Sequence, residues 1–102
     1  MRVIKRGPLL EFSRRHPDAY GALDAWYRVA RRARWRNIGD VRRAFPTADA
    51  VQVASGRTAT VINIRGNRYR LVLAIHYNTQ MVFVLCVLTH AEYGRQSWKQ
   101  LL

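Results

Sequence analysis

The chain has 102 residues, 49% of them hydrophobic, and 18 Lys and Arg against six Asp and Glu give it a formal net charge of +12. That length and apolar content describe one folded domain, residues 1–102, and exclude a largely disordered chain. No run approaches the roughly 20 apolar residues of a membrane span. The charged opening Met1–Pro8 leads into no apolar stretch of the secretory kind, so the expectation is a cytoplasmic protein with no membrane partner.

Val3 and Ile4 form a short strand candidate, stopped by Gly7 and Pro8. Proline suits the first turn of a helix, and Pro8–Arg15 places Leu9 and Phe12 at helical spacing. After the break at His16, Pro17 and Asp18, a second helix is expected from about Asp18 to Arg34. Its apolar face is Leu23, Trp26, Tyr27, Ala30 and Ala33, with most arginines off that face. Asp40 is placed to cap a short third helix, Val41–Phe45, closed by Pro46.

Beyond Pro46 the period changes to two. Val51 and Val53 suggest one strand, and Thr58–Arg65 and Arg68–Tyr77 suggest two more, joined by the hairpin signal of Gly66 and Asn67. In the last of these, Tyr69, Leu71, Leu73, Ile75 and Tyr77 share one face, and Arg68, Arg70, Val72, Ala74 and His76 share the other. Met81–Leu88 is almost unbroken apolar sequence, as expected of an inner strand, and contains the single cysteine, Cys86, expected as a buried thiol. Thr89 and Glu92 match a capping box, so a short helix should begin at His90 and carry Tyr93 and Trp98. The fold class is therefore α+β: two N-terminal helices packed on an antiparallel β-meander, with a short C-terminal helix.

Sixteen of the 18 cations are arginine, leaving only Lys5 and Lys99. Arginine forks onto phosphate with two parallel hydrogen bonds, so an anionic polymer, RNA or DNA before an acidic protein, is the natural partner. Residues 50–91 hold four arginines and no acid, so an exposed arginine there has no carboxylate nearby in sequence. Metal-ligand spacing, a phosphate-cradling glycine loop, paired carboxylates and a Ser-His-Asp motif are all missing, and no cofactor is expected.

One constellation remains. Arg68 and Arg70 on one strand face, with His90 and Tyr93 at the following helix start, can meet at one end of the sheet. RNA cleavage needs a base for the ribose 2′-hydroxyl, an acid for the leaving 5′-oxygen, and cations around the phosphate. Arginine stays protonated and can only clamp, whereas His90 can exchange a proton, Tyr93 can donate or orient, and the helix start would itself attract phosphate. Arg57, Arg65, Arg95 and Lys99 are further candidate RNA contacts. Plainer readings stand beside these: His90 as an exposed first-turn residue, Tyr93 as packing, Arg68 and Arg70 as a solvated face, His76 as a core or rim histidine, the three tryptophans as packing.

The residues His16-Pro17-Asp18-Ala19, Trp26-Tyr27, Asp40-Val41 with Phe45, Asn63-Ile64, Gly66-Asn67-Arg68-Tyr69-Arg70-Leu71 and Thr89-His90-Ala91-Glu92-Tyr93 carry a likeness that spans nearly the whole chain. The sequence resembles the HigB-type toxins of bacterial toxin–antitoxin pairs, within the RelE/ParE superfamily. The resemblance implies a RelE/ParE-like fold and endoribonuclease activity on mRNA, commonly on translating ribosomes. It also implies a cognate helix-turn-helix antitoxin, HigA-like, that neutralises the toxin. It puts Arg70, His90 and Tyr93 at the RNA-cleaving end, Arg68 at a usually basic position, and Asn63 in the hairpin rather than on RNA. Two positions depart from the pattern: Arg65 stands where glycine is common, and Gly94 where aspartate is usual. Two rivals share the charge or the fold: a gyrase poison, needing no acid–base pair, and a non-enzymatic RNA- or ribosome-binding module.

Overall fold

A computed structural model describes residues 1–102. In chain order the elements are β1 (Arg2–Ile4), α1 (Gly7–Arg15), α2 (Tyr20–Arg32), α3 (Ile38–Ala44), β2 (Asp49–Gln52), β3 (Thr58–Ile64), β4 (Tyr69–His76), β5 (Met81–Thr89) and α4 (His90–Gly94). Tight 3-10 turns at Pro17–Ala19 and Ser97–Leu101 complete the chain. The α+β expectation holds, since period-two sequence after Pro46 becomes four consecutive antiparallel strands. The sheet order is β1-β5-β4-β3-β2, and β1 pairs parallel with β5 at the edge. The sheet is thus a meander plus one parallel edge strand rather than a pure meander. A parallel pair needs a long connection, and everything between Ile4 and Met81 supplies it.

The alternation read in β4 separates two cores. On one face Tyr69, Leu71 and Leu73 join Leu9, Phe12, Leu23 and Trp26 from the first two helices in the main cluster. On the other, Val72 meets Val53, Ala59, Val61 and Trp98 beneath the C-terminal turn. Each fully buried side chain of this size contributes about 1.5–3 kcal/mol, so the helix-covered face carries most of the stability. Trp26, Trp35 and Trp98 are all buried, in keeping with packing roles.

Several boundaries differ from the sequence reading, each for a local reason. The helix expected from Asp18 to Arg34 is a 3-10 turn followed by α2, which ends at Arg32 because Ala33 turns extended. The third helix begins earlier and is capped by Asn37, whose side chain accepts from the Asp40 N–H; Asp40 lies inside the first turn. Val53 falls just past β2, its N–H closing the next turn on the Arg57 carbonyl. Cys86 is half-buried, and burial pushes its thiol up to about 11, which leaves it protonated and unreactive near neutrality.

The single expected C-terminal helix is two pieces. α4 has the predicted capping box: Glu92 N–H donates to Thr89 Oγ1 at 3.2 Å, and Thr89 N–H donates to Glu92 Oε1 at 2.9 Å. It stops after five residues because Gln96 adopts a left-handed conformation, φ 66°, and the chain restarts as a 3-10 turn holding Trp98. Gly94 is the last helical residue, outside the left-handed region, and a methyl group there would meet nothing within 4 Å. Gly94→Ala is therefore expected to stabilise the protein by about 0.4–1 kcal/mol, read as a higher midpoint in urea with an unchanged slope.

Candidate functional site

The β3–β4 hairpin builds the site. Gly66 and Asn67 form the turn, closed by Arg68 N–H donating to the Arg65 carbonyl at 3.3 Å. Arg65 itself sits at φ 52°, a left-handed conformation that costs a side-chain-bearing residue roughly 1–2 kcal/mol. This is the position where the sequence departs from a common glycine.

Next along the chain, Arg70 is on the face opposite Tyr69 and is only 8% exposed. Its Nη1 donates to the Asn67 carbonyl at 2.9 Å and to the Tyr69 carbonyl at 3.3 Å, and its Nη2 donates to Asn67 Oδ1 at 3.1 Å. Asn67 is held in turn by Asn63 Nδ2, donating to the same Oδ1 at 3.3 Å. Tyr93 flanks the guanidinium, with the arginine carbon 5.2 Å from the ring centroid. Trp98 stacks behind that ring at 5.4 Å and donates its indole N–H to the Tyr93 carbonyl at 3.1 Å. Arg70 has no carboxylate partner. A buried charge is ordinarily paired with an opposite one, and this one meets only neutral acceptors.

His90 is the exposed neighbour. Its backbone N–H donates to the Arg68 carbonyl at 3.0 Å, tying the start of α4 to the hairpin. Its Nδ1 lies 3.4 Å from Arg70 Nη2. In that contact Nδ1 carries the lone pair, so the neutral ring's proton is on Nε2. The structure thus brings Arg70, His90 and Tyr93 together. The five residues of α4 are too few for a helix-dipole contribution, and the Glu92 N–H of its first turn is already taken by Thr89.

Arg68 stands elsewhere. The sequence put it on the strand face of Arg70, but it lies in the turn before β4. Its Nη1 donates to Asp18 Oδ2 at 2.9 Å. Arg65 reaches the same residue, 3.0 Å from its carbonyl and 3.2 Å from its carboxylate, and Tyr69 O–H donates to Asp18 Oδ1 at 2.6 Å. Of the other candidate RNA contacts, Arg95 caps α4 and is exposed, and Lys99 holds its amine 5.8 Å from the Trp98 ring. Arg57 precedes β3 and is a full strand away from the hairpin, roughly 20 Å at 3.3 Å per residue. His76 is exposed on the sheet rim, 5.2 Å from the Phe83 ring. His, Cys, Asp and Glu nowhere gather in a group of three that could hold a metal ion.

Sequence reasoning missed Asp18, Asn67 and Trp98 as site-forming residues. Asn67 had a signal, because asparagine in turns bonds local backbone and neighbours. Asp18 had none, since its partners are 47 or more positions away. The Tyr69 hydroxyl first, then Arg68, holds the Asp18 carboxyl below the usual carboxylate range. A depressed folded-state value means the carboxylate stabilises the fold above its ordinary titration range, and that contribution is lost as pH falls through the folded value. Asp18→Asn should therefore melt lower than wild type at neutral pH, and the gap should close as pH drops below about 4. Thermal melts across pH read this directly; a gap that persists in acid would contradict the assignment.

A buried guanidinium beside an exposed imidazole, at one end of a small α+β sheet, is an arrangement able to hold an anion next to a proton-transfer group. Comparison with known proteins carries this to a family. The profile of the HigB toxins, described as the RelE-like toxic component of a toxin–antitoxin system, matches residues 19–96, and the chain belongs to that family. It is also similar to the mRNA interferase HigB of Escherichia coli O6:H1 (strain CFT073), 28% identical over 95 residues that cover 93% of this chain and 90% of the relative. No helix is long and apolar enough to cross a membrane.

Proposed function

We propose that this toxin is an endoribonuclease that cuts mRNA by attack of the ribose 2′-hydroxyl on the adjacent phosphodiester. The observation that carries the reading is the Arg70 guanidinium, buried without a carboxylate, 3.4 Å from the imidazole of an exposed histidine. Arg70 grips the non-bridging oxygens and offsets the charge that accumulates on them in the transition state. The phosphate draws Arg70 Nη2 off His90 Nδ1, and the lone pair freed in this way takes the 2′-hydroxyl proton. The 2′-oxygen bonds to phosphorus, the bond to the 5′-oxygen breaks, and that oxygen takes up a proton. The products are a 2′,3′-cyclic phosphate and a free 5′-hydroxyl. Tyr93, sandwiched between Arg70 and Trp98, orients the guanidinium and presents its hydroxyl beside the reacting phosphate. Arg68 and Arg65, held at rest by Asp18, lie at the hairpin tip as secondary cations for the RNA backbone, with Arg95 and Lys99 on the C-terminal side.

The site of action follows the same reading: cytoplasmic mRNA, engaged on the ribosome, with a helix-turn-helix antitoxin as the neutralising partner. The relative named as an mRNA interferase supports mRNA as the target, and the family description supports an antitoxin partner. Sequencing transcript 5′ ends after induction tests it, with the expectation of new 5′-hydroxyl ends that depend on His90 and Arg70. Intact transcripts with rising DNA breaks would instead identify a gyrase poison, and bound but uncut RNA a non-enzymatic module.

A further inference from the structure

A second basic surface lies at the end of the molecule away from Arg70. β4 begins beside the site at Tyr69 and ends at His76, and β5 starts from the following turn at Met81. Against that far turn lies a cleft of about 600 Å³ lined by Arg34, Arg36, Asp40, Arg43 and Gln80, with no hydrophobic residue. A neighbouring cleft of about 430 Å³ shares Arg34 and Gln80 and adds Arg2, Arg31 and Arg32. Gln80 fixes the floor, donating to the Trp35 carbonyl at 2.7 Å and the Tyr77 carbonyl at 2.8 Å, so the two clefts are one shaped surface.

The charge there is not internally neutralised. Asp40 is the one acid in the lining, and it is already engaged by the Arg36 backbone N–H at 3.0 Å, Arg36 Nε at 3.2 Å and Arg43 at 3.7 Å. Arg2, Arg31, Arg32 and Arg34 have no carboxylate partner. The basic end of α2 accounts for part of this, since cations favour a helix C-terminus. It does not account for Arg2 on β1 or Arg34 beyond the helix, which converge on the same place.

We infer that this distal surface is a second, non-catalytic contact for the phosphate backbone of structured RNA. Protein interfaces concentrate their binding energy in buried aromatic and aliphatic anchors, and the larger cleft has none. Base stacking needs exposed aromatic faces, also missing from that lining, so the surface suits phosphates read without sequence. The molecule is about 30 Å across, so an RNA gripped at both ends must span that distance, which a rigid folded helix does without the entropy cost of ordering a single strand. The choice of RNA over another polyanion rests on the mRNA-cleaving reading; the clustering of unpaired arginines does not.

The test replaces Arg31, Arg32 and Arg34 by Gln together, in the full chain, and measures binding to an RNA hairpin against salt, with cleavage of a short single-stranded oligoribonucleotide in parallel. The expected result is a loss of hairpin affinity of about tenfold or more at low salt and a salt slope reduced by about two to three, one for each phosphate contact removed. Oligonucleotide cleavage should be unchanged. The matching Arg→Lys triple should keep most of the affinity, because charge rather than fork geometry carries the contact. Unchanged affinity and slope in the Gln triple, or a Lys triple that falls equally far, overturns the inference. So does loss of antitoxin binding with RNA binding intact, which would make the surface a protein dock. If wild type binds the hairpin with the expected slope but cuts neither the oligonucleotide nor mRNA on translating ribosomes, the cleavage reading fails and the distal contact stands.

Discussion

Arg70→Met is expected to lower mRNA cleavage by about 10²–10³-fold while leaving stability equal or higher by about 1 kcal/mol. The two effects have opposite signs because the same feature causes both. Arg70 is 8% exposed and has no carboxylate partner, only backbone and Asn67 oxygens and the His90 ring nitrogen, so the folded protein bears the desolvation of a cation without the return of an ion pair. Methionine fills similar space, packs against the Tyr93 ring and removes that penalty. Of the bonds to oxygen it abandons, the two to Asn67 are at an exposed turn that water reaches, and the one to the buried Tyr69 carbonyl is the longest at 3.3 Å. An active site that gains stability when its key cation is deleted is one held in strain for an anion that arrives later. Initial rates on a defined RNA and urea midpoints for both proteins decide the matter. Retained activity would remove Arg70 from the mechanism, and activity lost together with a large drop in midpoint would make it a structural residue.

The framework behind this site was legible in the sequence wherever the information was local. The alternation in β4 separated Tyr69, Leu71 and Leu73 from Val72 and Arg70, and the two clusters divide along that line. Thr89 and Glu92 announced the start of α4, which fixes where His90 stands. What the sequence could not supply was long-range partner choice. Arg68 and Arg70 are two residues apart, and alternation puts them on one face, but Asp18 captures Arg68 from the helical side and Asn67 captures Arg70 from the turn. A turn residue is not bound by the strand's period, and the carboxylate that claims it comes from 50 positions earlier. The split C-terminal helix is a similar case. The capping box predicts a start, and the left-handed Gln96 that ends α4 reflects Trp98 turning back to pack under Tyr93 and against Val53 and Val61.

His90→Ala is expected to reduce cleavage by about 10²–10⁴-fold with a change in stability no larger than about 0.5 kcal/mol. The stability side follows from exposure. His90 is solvent-facing, its structural hydrogen bond to the Arg68 carbonyl uses the backbone N–H, and alanine keeps that bond in a good helix-forming residue. The activity side follows from chemistry that no neighbour can replace. Arg70, 3.4 Å away, stays protonated and cannot accept the 2′-hydroxyl proton, and Tyr93 lies across the guanidinium rather than at the imidazole position. The variant should still bind RNA with the wild-type salt slope, because the cations are untouched. These readouts separate proton transfer from binding. A variant that cleaves at the wild-type rate would show that the proton goes to another acceptor, and one whose loss of rate is matched by a loss of RNA affinity would make His90 a binding residue.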